Sequence, residues 1–382
     1  MKRRSKAGIL SLCIGTALSL QAPFGALAAS PEFSRTAEEW EKLRDNVLEY
    51  GELEDLIHEY NTTVLNNEQN FQKEERNKSV EDLLSDHLAA AGDLYDQAGA
   101  ADTEVGRITA ELSAIQERNS AVDAILNEQD WDMKRWTKDK TEKLLVQQAQ
   151  TTMNSYYQLK QQLIAAQKNR ELLDAVLTST QTRMNVNMAT QAEVLTARQN
   201  VQNADSQIQA LENQIESARK SLIVMTGWGQ GDTPEISAMP EVDESRIAAM
   251  DLNQDLIDAL ANDYTLKIDS RKLYRAASAE TRKICEQTVA SDREQVGIAL
   301  NSAYNTVQQA KTAYDEAASD LEVKTRNMNT ASTQYSLGSI SQLEYRQAEA
   351  NLVAAQTTLE VNRLALLQAI EDYGWIVKGV RS

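Results

Sequence analysis

The sequence contains very little proline, cysteine, histidine and phenylalanine. Its 382 residues include 4 prolines, 2 cysteines, 2 histidines and 3 phenylalanines. No proline occurs between Glu32 and Thr233 or after Pro240. Because proline breaks the interior of an α-helix, such long proline-free tracts permit very long helices. Few aromatic and many small residues also suit helix–helix seams better than the thick core of a globular enzyme.

The scarcity of reactive side chains argues against most kinds of catalytic site. His58 and His87 lie in charged, helix-forming surroundings, where a surface role is favoured over a role as metal ligand or base. The sequence shows no phosphate-binding glycine loop, zinc-ligand spacing or nucleophile elbow. We therefore expect no cofactor and no metal, and we rank an enzyme last among the functions considered.

The N-terminal residues 1–28 predict an export signal. The basic segment Lys2–Lys6 precedes the apolar segment Ala7–Leu20, and Ala26-Leu27-Ala28 fits a cleavage site. An uncleaved membrane anchor is the alternative, which the shortness of the apolar segment disfavours. Cleavage would remove four basic residues and no acidic one, so the formal net charge would change from −18 to −22. This acidity disfavours nucleic acid as a partner, and the one remaining cysteine, Cys285, excludes an intrachain disulfide.

Three segments before residue 140 are predicted to be helices. Residues 36–75 begin with a capping box of Thr36 and Glu39 and include a bend at Gly51. Residues 76–103 and 107–137 follow helical spacing, with a turn near 98–106 between them and an interruption near 127–131.

From Leu145 onward, apolar positions alternate at steps of four and three residues. The pattern reaches Met184, crosses a turn near Asn187, and resumes from Val194 to Met225. Sustained spacing of this kind predicts a coiled-coil seam, and the short connection makes the two helices antiparallel neighbours. Arg170 and Lys324 interrupt the seams, and we interpret them as residues that specify register. The predicted fold class is all-α, built from long coiled-coil hairpins.

The second half of the sequence repeats the first at an offset of 151 residues. At this offset the seam Leu145–Leu222 aligns with Val296–Tyr373 without a gap, and Asn187 aligns with Gly338. Asparagine and glycine most readily take the left-handed conformation that ends a helix. The chain is accordingly divided into a signal (1–28), a first helical repeat (29–226), a Gly/Pro linker (227–241) and a second helical repeat (242–382), with hairpin tips near 187 and 338.

The second turn carries a family resemblance. The stretch Tyr335-Ser336-Leu337-Gly338-Ser339-Ile340-Ser341, followed by a seam at Leu343, Ala348, Leu352 and Ala355, resembles the TolC-like outer membrane efflux protein family. Its first-repeat counterpart is Asn187–Ala197. Leu260–Lys267 resembles the family's repeat-start helix, and Asn46–Leu53 is similar to Ala259–Leu266 at the start of the first half.

The resemblance implies a homotrimer in which six hairpins enclose a helical tunnel. The hairpin tips would dock an adaptor protein that works with an inner-membrane transporter, and neighbouring residues would gate the entrance. The implied docking residues are Asn187, Met188, Ala189, Thr190, Gln191, Gly338, Ser339, Ile340, Ser341, Gln342 and Leu343. The implied gating residues are Arg183, Tyr335 and Arg346. A plain helix-reversal turn is the alternative interpretation of each tip.

The sequence departs from the family where paired membrane strands should occur. Residues 75–140 and 270–290 lack segments of alternating apolar and polar character and predict helix instead. The expected location is the cell envelope, at the outer membrane by resemblance but without evident strands. The alternative function is a secreted coiled-coil spacer of the envelope with no conduit.

Overall fold

The computed structural model describes residues 35–43, 45–74, 80–101, 103–127, 130–229, 231–276 and 278–381. The predicted export signal lies outside these residues. The chain divides into two compact units between Arg44 and Asp45. The described part of the smaller unit contains helix α1 (Ala37–Lys42). As predicted, this helix begins with a capping box, in which the Thr36 amide donates to the Glu39 carboxylate at 2.6 Å.

The described part of the larger unit is almost entirely helical, which confirms the predicted fold class. Its first-half helices are α2 (Leu53–Tyr60), α3 (Thr62–Glu74), α4 (Val80–Gly99), α5 (Glu104–Asn127), α6 (Trp131–Asn185) and α7 (Gln191–Met225). Its second-half helices are α8 (Ser245–Ala248), α9 (Leu252–Asn262), α10 (Tyr264–Arg275), α11 (Ala279–Ser336) and α12 (Gln342–Val377). The short strands β1 (Val47–Leu48) and β2 (Glu235–Ile236) pair in parallel, and Tyr50–Glu52 forms a 3₁₀ turn.

Two long antiparallel hairpins dominate this unit. The first consists of α6 and α7, the second of α11 and α12, and α6 packs against α12. The order across the layer is therefore α7–α6–α12–α11. With 55 and 58 residues, α6 and α11 are about 80–90 Å long at 1.5 Å per residue. Since α6 begins at Trp131, it is longer than the seam from Leu145 predicted.

Buried polar groups join the two hairpins. Asn154 of α6 is 2% exposed, and its side-chain amide donates to the Leu364 carbonyl oxygen of α12 at 2.7 Å. One turn earlier on α6, the side-chain amide oxygen of Gln150 accepts from the Trp375 indole N–H at 2.8 Å. An unpaired buried amide costs free energy, so a slip of either helix along the other would be disfavoured. These bonds fix the register between hairpins more strictly than an apolar seam alone could.

The two charged residues on the predicted seams behave differently. The Arg170 side chain of α6 binds the Asp205 carboxylate of α7 at 3.0 Å, across the first hairpin. Lys324 binds Asp320 in its own helix at 3.4 Å. Only Arg170 therefore makes the cross-helix contact that a register-specifying residue needs.

The prediction of a single helix over residues 36–75 is wrong. The described chain there is divided among α1, β1, the 3₁₀ turn, α2 and α3. The break between α2 and α3 is stabilised by Asn61, whose side-chain oxygen Oδ1 accepts from the Thr63 amide at 2.9 Å. Its side-chain amide also donates to the Met225 carbonyl oxygen at the end of α7, at 2.8 Å. Local capping and this long-range bond together override the continuous apolar pattern.

The described residues of segments 75–140 and 270–290 are largely helical, as predicted. Residues 80–99 and 104–127 form α4 and α5, and the break between α5 and α6 lies in the predicted interruption. Asp130 caps α6, accepting from the Met133 amide at 3.1 Å. Across the described ranges, no helix has both the length and the apolar character required to cross a membrane.

The sequence similarity of Asn46–Leu53 to Ala259–Leu266 does not correspond to a similarity in structure. The first segment contains β1 and the 3₁₀ turn, whereas the second contains the end of α9 and the start of α10. The structural counterpart of Asp263 is Asn61, because each caps the second helix of a pair. Each cap also lies against the end of a hairpin: Asn61 at Met225, and Asp263 at Arg381 with an ion pair of 2.7 Å.

Both hairpins end in the same way at this junction. Helix α7 is followed by Gly227 with φ of 86°, and α12 is followed by Gly379 with φ of 88°. The amides of Gly227 and Gly379 donate to the carbonyl oxygens of Val224 and Ile376 at 3.2 and 2.9 Å. We call the surroundings of these two glycines the base of the hairpins. The duplication inferred from sequence is therefore visible at the ends of the long helices as well as along them.

Candidate functional site: the two hairpin tips

The first tip connects α6 to α7 through residues 186–190. Asn187 has φ of 59° and is the only non-glycine residue with positive φ among the described residues. Its amide donates to the Met184 carbonyl oxygen at 2.9 Å, and the Met188 amide donates to the Arg183 carbonyl oxygen at 2.7 Å. These two bonds form a Schellman motif, which satisfies carbonyl groups at the end of α6.

The second tip connects α11 to α12 through residues 337–341 and repeats this arrangement. Gly338 has φ of 70°. Its amide donates to the Tyr335 carbonyl oxygen at 3.0 Å, and the Ser339 amide donates to the Gln334 carbonyl oxygen at 2.8 Å. The prediction that Asn187 and Gly338 take the same left-handed role is confirmed. The two tips are therefore copies of one local structure, separated by 151 residues.

A capping box starts the descending helix at each tip. The Thr190 amide donates to the Glu193 carboxylate at 2.6 Å, and the Glu193 amide donates to the Thr190 hydroxyl at 3.2 Å. Ser341 and Glu344 make the same pair of bonds, at 2.7 and 3.2 Å. The backbone N–H groups hold the pKa of both glutamates below the ordinary value, with the capping hydroxyls as a second cause. Glu193 and Glu344 are absent from the predicted site, although the spacing of a capping box could have identified them.

The tips present apolar side chains to solvent. Val186 and Met188 are 59% and 69% exposed at the first tip, and Leu337 is 74% exposed at the second. Ala189 and Ile340 occupy equivalent positions and are half-buried. The other predicted docking residues are exposed except for the half-buried Leu343; they are Asn187, Thr190, Gln191, Gly338, Ser339, Ser341 and Gln342. Each tip thus presents exposed apolar side chains that are surrounded by polar ones.

The predicted gating residues are divided between the tips. Arg183 donates to the Met188 carbonyl oxygen at 3.1 Å, within the first tip. Tyr335 stacks on Tyr345, with ring centroids 4.8 Å apart and planes inclined by 25°. Arg346 is half-buried and follows Tyr345 on α12. Within one chain, Arg183 and Tyr335 thus brace their own tips, and Tyr345 is a tip residue that the sequence pattern did not identify.

The two hairpins lie side by side toward the tips. Lys168 of α6 binds Glu349 of α12 at 3.3 Å. Glu349 is two turns from the start of α12, whereas Lys168 lies about 25 Å before the end of α6, so this ion pair is closer to the second tip than to the first. The docking residues of both tips consequently belong to one end of the four-helix layer.

Comparisons with known proteins give a likeness in structure alone. No protein-family model matches the chain, and no curated protein is significantly similar to it in sequence. A membrane protein from Pseudomonas aeruginosa has a similar structure, with a TM-score of 0.51, 11% identity, and coverage of 84% of this chain and 93% of that one. The CmeC outer membrane channel of Campylobacter jejuni and the outer membrane protein VceC of Vibrio cholerae both have a TM-score of 0.48 and 11% identity. They cover 93% and 91% of this chain, and 91% and 99% of their own lengths.

The Pseudomonas aeruginosa protein alone exceeds a TM-score of 0.5 among these three, and its low identity limits the inference to fold. That likeness extends over most of both chains. The fold of this chain is therefore similar to that of the Pseudomonas aeruginosa membrane protein.

Proposed function

We propose that the chain is a component of a TolC-like efflux or secretion duct in the cell envelope. Three copies would form a helical tunnel, and the hairpin tips would dock an adaptor that works with an inner-membrane transporter. The observation that carries this proposal is the pair of equivalent tips at one end of the four-helix layer. A plain helix reversal does not require both turns to expose large apolar groups to water.

Self-association is supported by the open edges of the layer. The edge helices α7 and α11 carry exposed apolar residues, including Leu195 (56%), Ile298 (69%) and Val323 (42%). If α7 of one copy packs on α11 of the next, the contact is heterologous, which is the type that generates a ring when the rotation between copies closes. The number three comes from the family resemblance, and a ring of three would contain six hairpins.

Docking is supported by the chemistry of the tips. The exposed Met188 and Leu337 supply apolar anchors, and the serine, threonine and glutamine side chains around them supply hydrogen-bonding groups. Protein–protein interfaces combine a small apolar centre with a polar rim in this way. The location that fits is an exported envelope protein at the outer membrane, with its tips directed toward the adaptor.

Sedimentation of the full chain tests the assembly. We expect a trimer at micromolar concentration. A monomer or dimer would contradict the duct, and an elongated monomer that binds no adaptor would favour the coiled-coil spacer instead.

A crosslinking series tests the docking site. A photo-crosslinking residue at Ser339 should capture the adaptor, whereas the same residue at Ser319, exposed on α11 away from the tip, should not. Gly338→Val should weaken adaptor binding or assembly, because a β-branched residue is strained at φ of 70°. An unchanged trimer with unchanged adaptor binding would exclude the tips from the docking site.

A further inference from the structure

The contact that joins the two hairpins inside the chain has a counterpart on the outer edges of the layer. The repeat at 151 residues makes α11 the equivalent of α6, and α12 the equivalent of α7. Inside the chain, α6 packs against α12, and we call this contact the inner interface. The edge helices α11 and α7 therefore each carry one half of a second interface of the same kind. A second copy of the chain can supply the missing half.

On α11, residues equivalent to buried residues of α6 are exposed. Asn154 and Leu172 of α6 are 2% and 8% exposed, because α12 covers this face of the helix. Their equivalents on α11 are Asn305, which is exposed, and Val323, which is 42% exposed. The same position in the repeat is thus buried where a neighbouring helix is present and exposed where the layer ends.

The edge helix α7 shows the same difference from α12. Leu364 and Thr357 of α12 lie in the inner interface and are 0% and 8% exposed. Their equivalents on α7, Asn213 and Ser206, are both exposed. Both edges therefore present the faces that the inner interface buries.

The main polar contact of the inner interface is repeated in sequence. The Asn154 side-chain amide donates to the Leu364 carbonyl oxygen at 2.7 Å, and its Oδ1 accepts from the Gln158 side chain at 2.8 Å. Asn305 and Gln309 repeat this pair on α11 at the same spacing, and both are exposed. The second repeat thus has the same donor, but it has no equivalent of α12 beside it in the single chain.

A second polar contact has the same register. The Thr357 hydroxyl of α12 donates to the Gln161 carbonyl oxygen of α6 at 3.4 Å. In the repeat, Ser206 keeps the hydroxyl, and Thr312 provides the carbonyl oxygen. Both contacts join a side-chain donor to a backbone carbonyl, an acceptor that every residue provides. The register can therefore be repeated although the residue that supplies the carbonyl differs.

The ion pair of the inner interface is not repeated. Lys168 binds Glu349 at 3.3 Å, whereas the equivalent positions on α11 and α7 are Ser319 and Arg198. At these positions an interface between copies would depend on hydrogen bonds and apolar contact without charge attraction.

We propose that α11 of one copy packs antiparallel on α7 of the next in the register of the inner interface. The Asn305 side-chain amide would donate to the Asn213 carbonyl oxygen of the next copy. Two turns nearer the tip of α11, the Thr312 carbonyl oxygen would accept from Ser206 of that copy. This inference rests on the proposed trimer and specifies the contact that closes it. Because the inner interface joins hairpins that point the same way, the tips of all copies would lie at one end.

Thiol crosslinking in the full chain tests the register. In a Cys285→Ser background, Asn305→Cys combined with Asn213→Cys should give a covalent trimer with a short bismaleimide. Thr312→Cys combined with Ser206→Cys should do the same. The matched controls exchange the partners, so that Asn305→Cys is combined with Ser206→Cys, and Thr312→Cys with Asn213→Cys. The exchanged cysteines lie on the same faces but about 10 Å out of register, so these variants should remain monomeric on a denaturing gel.

Asn305→Ala tests the hydrogen bond itself. Association measured by sedimentation should weaken by about tenfold at each contact, because the bond is lost. Circular dichroism should show unchanged helix content, since Asn305 is exposed in the single chain. The control is Thr306→Ala, at an exposed neighbouring position whose hydroxyl donates to the Ser302 carbonyl oxygen of its own helix. Unchanged association in Asn305→Ala would overturn the proposed bond.

The outcomes separate this inference from the proposed duct. A trimer by sedimentation in which the matched cysteines do not crosslink, or the exchanged cysteines crosslink equally well, would overturn the register and leave the duct intact. A covalent trimer from the matched pairs that never captures an adaptor would support the interface while the duct fails. A covalent ladder beyond three copies from the matched pairs would also support the interface, and it would contradict a closed ring. A monomer would overturn both.

Discussion

The base and the tips of the hairpins use the same local motif under opposite constraints. Gly379 at the base and Gly338 at the tip both have positive φ, 88° and 70°, and each ends a long helix with the same hydrogen-bond pattern. A Cβ atom on Gly379 would lie 2.2 Å from the Asn262 carbonyl oxygen, whereas a Cβ on Gly338 would meet nothing within 4 Å. The base residue is therefore fixed by packing, while the tip residue is fixed only by backbone conformation. That difference leaves the tip surface free to be shaped by a partner.

The close approach at the base has a clear cause. The junction of α9 and α10 lies against the end of α12, where the Tyr264 amide donates to the Gly379 carbonyl oxygen at 3.2 Å. Arg381 binds the buried carboxylate of Asp263 from the same side, at 2.7 Å. The first repeat makes an equivalent contact, since a Cβ on Gly227 would lie 2.2 Å from the Tyr60 Cβ. The base is thus where each repeat's short helices attach to its hairpin.

Gly379→Ala should have the largest effect. The new methyl group would overlap backbone atoms of Asn262 and Asp263, and alanine is also strained at this φ. Overpacking and left-handed strain together should lower the free energy of unfolding by about 3 kcal/mol or more. Urea unfolding followed by circular dichroism measures the change.

The matched control for this substitution is Gly374→Ala, five residues earlier inside α12. Its Cβ would lie 3.6 Å from the Arg246 side chain, an ordinary contact, and alanine favours helix. We expect the control to be neutral or to stabilise by up to about 1 kcal/mol. Equal losses in the two variants would show that the base does not depend on the close approach at Gly379.

Gly338→Ala should have a much smaller effect. Because no atom lies near the new methyl group, only the left-handed backbone strain remains, which is about 1 kcal/mol. The same urea titration should show this modest shift. A loss as large as that of Gly379→Ala would mean that the tip is packed against another part of the assembly.

The tips could be predicted from sequence because their determinants are local. The heptad breaks, the left-handed residues Asn187 and Gly338, and the capping pairs all lie within a few residues of one another. The base could not be predicted in this way, because Gly379 meets Asn262 and Asn61 meets Met225 from distant parts of the chain. The apolar pattern across residues 36–75 accordingly predicted one helix where long-range contacts impose several breaks.

The α4–α5 hairpin shows a second limit of sequence patterns. Its heptad seam covers only Val105 to Ile115, too short a stretch to be distinguished from an ordinary amphipathic helix. The structure adds what the pattern lacks, because it shows these residues exposed beside buried alanines. Periodicity indicates that a helix has an apolar face, but it does not show what that face contacts.

The smallest expected effect is a pH dependence of the tips that comes from their capping boxes and that the base should not show. Each glutamate's pKa is lowered because its carboxylate accepts a backbone N–H bond, so the stabilisation is complete above the ordinary carboxyl pKa. It is lost only as the pH falls through the lowered pKa.

Hydrogen exchange corrected for intrinsic rates should therefore show tip amides near Ser341 opening in acid, while those near Gly379 stay protected. Glu344→Gln keeps a capping side chain but carries no titrating proton, so its tip should lose this pH dependence. Identical acid opening in the parent chain and in Glu344→Gln would show that another group, outside the capping box, controls the order of the tip.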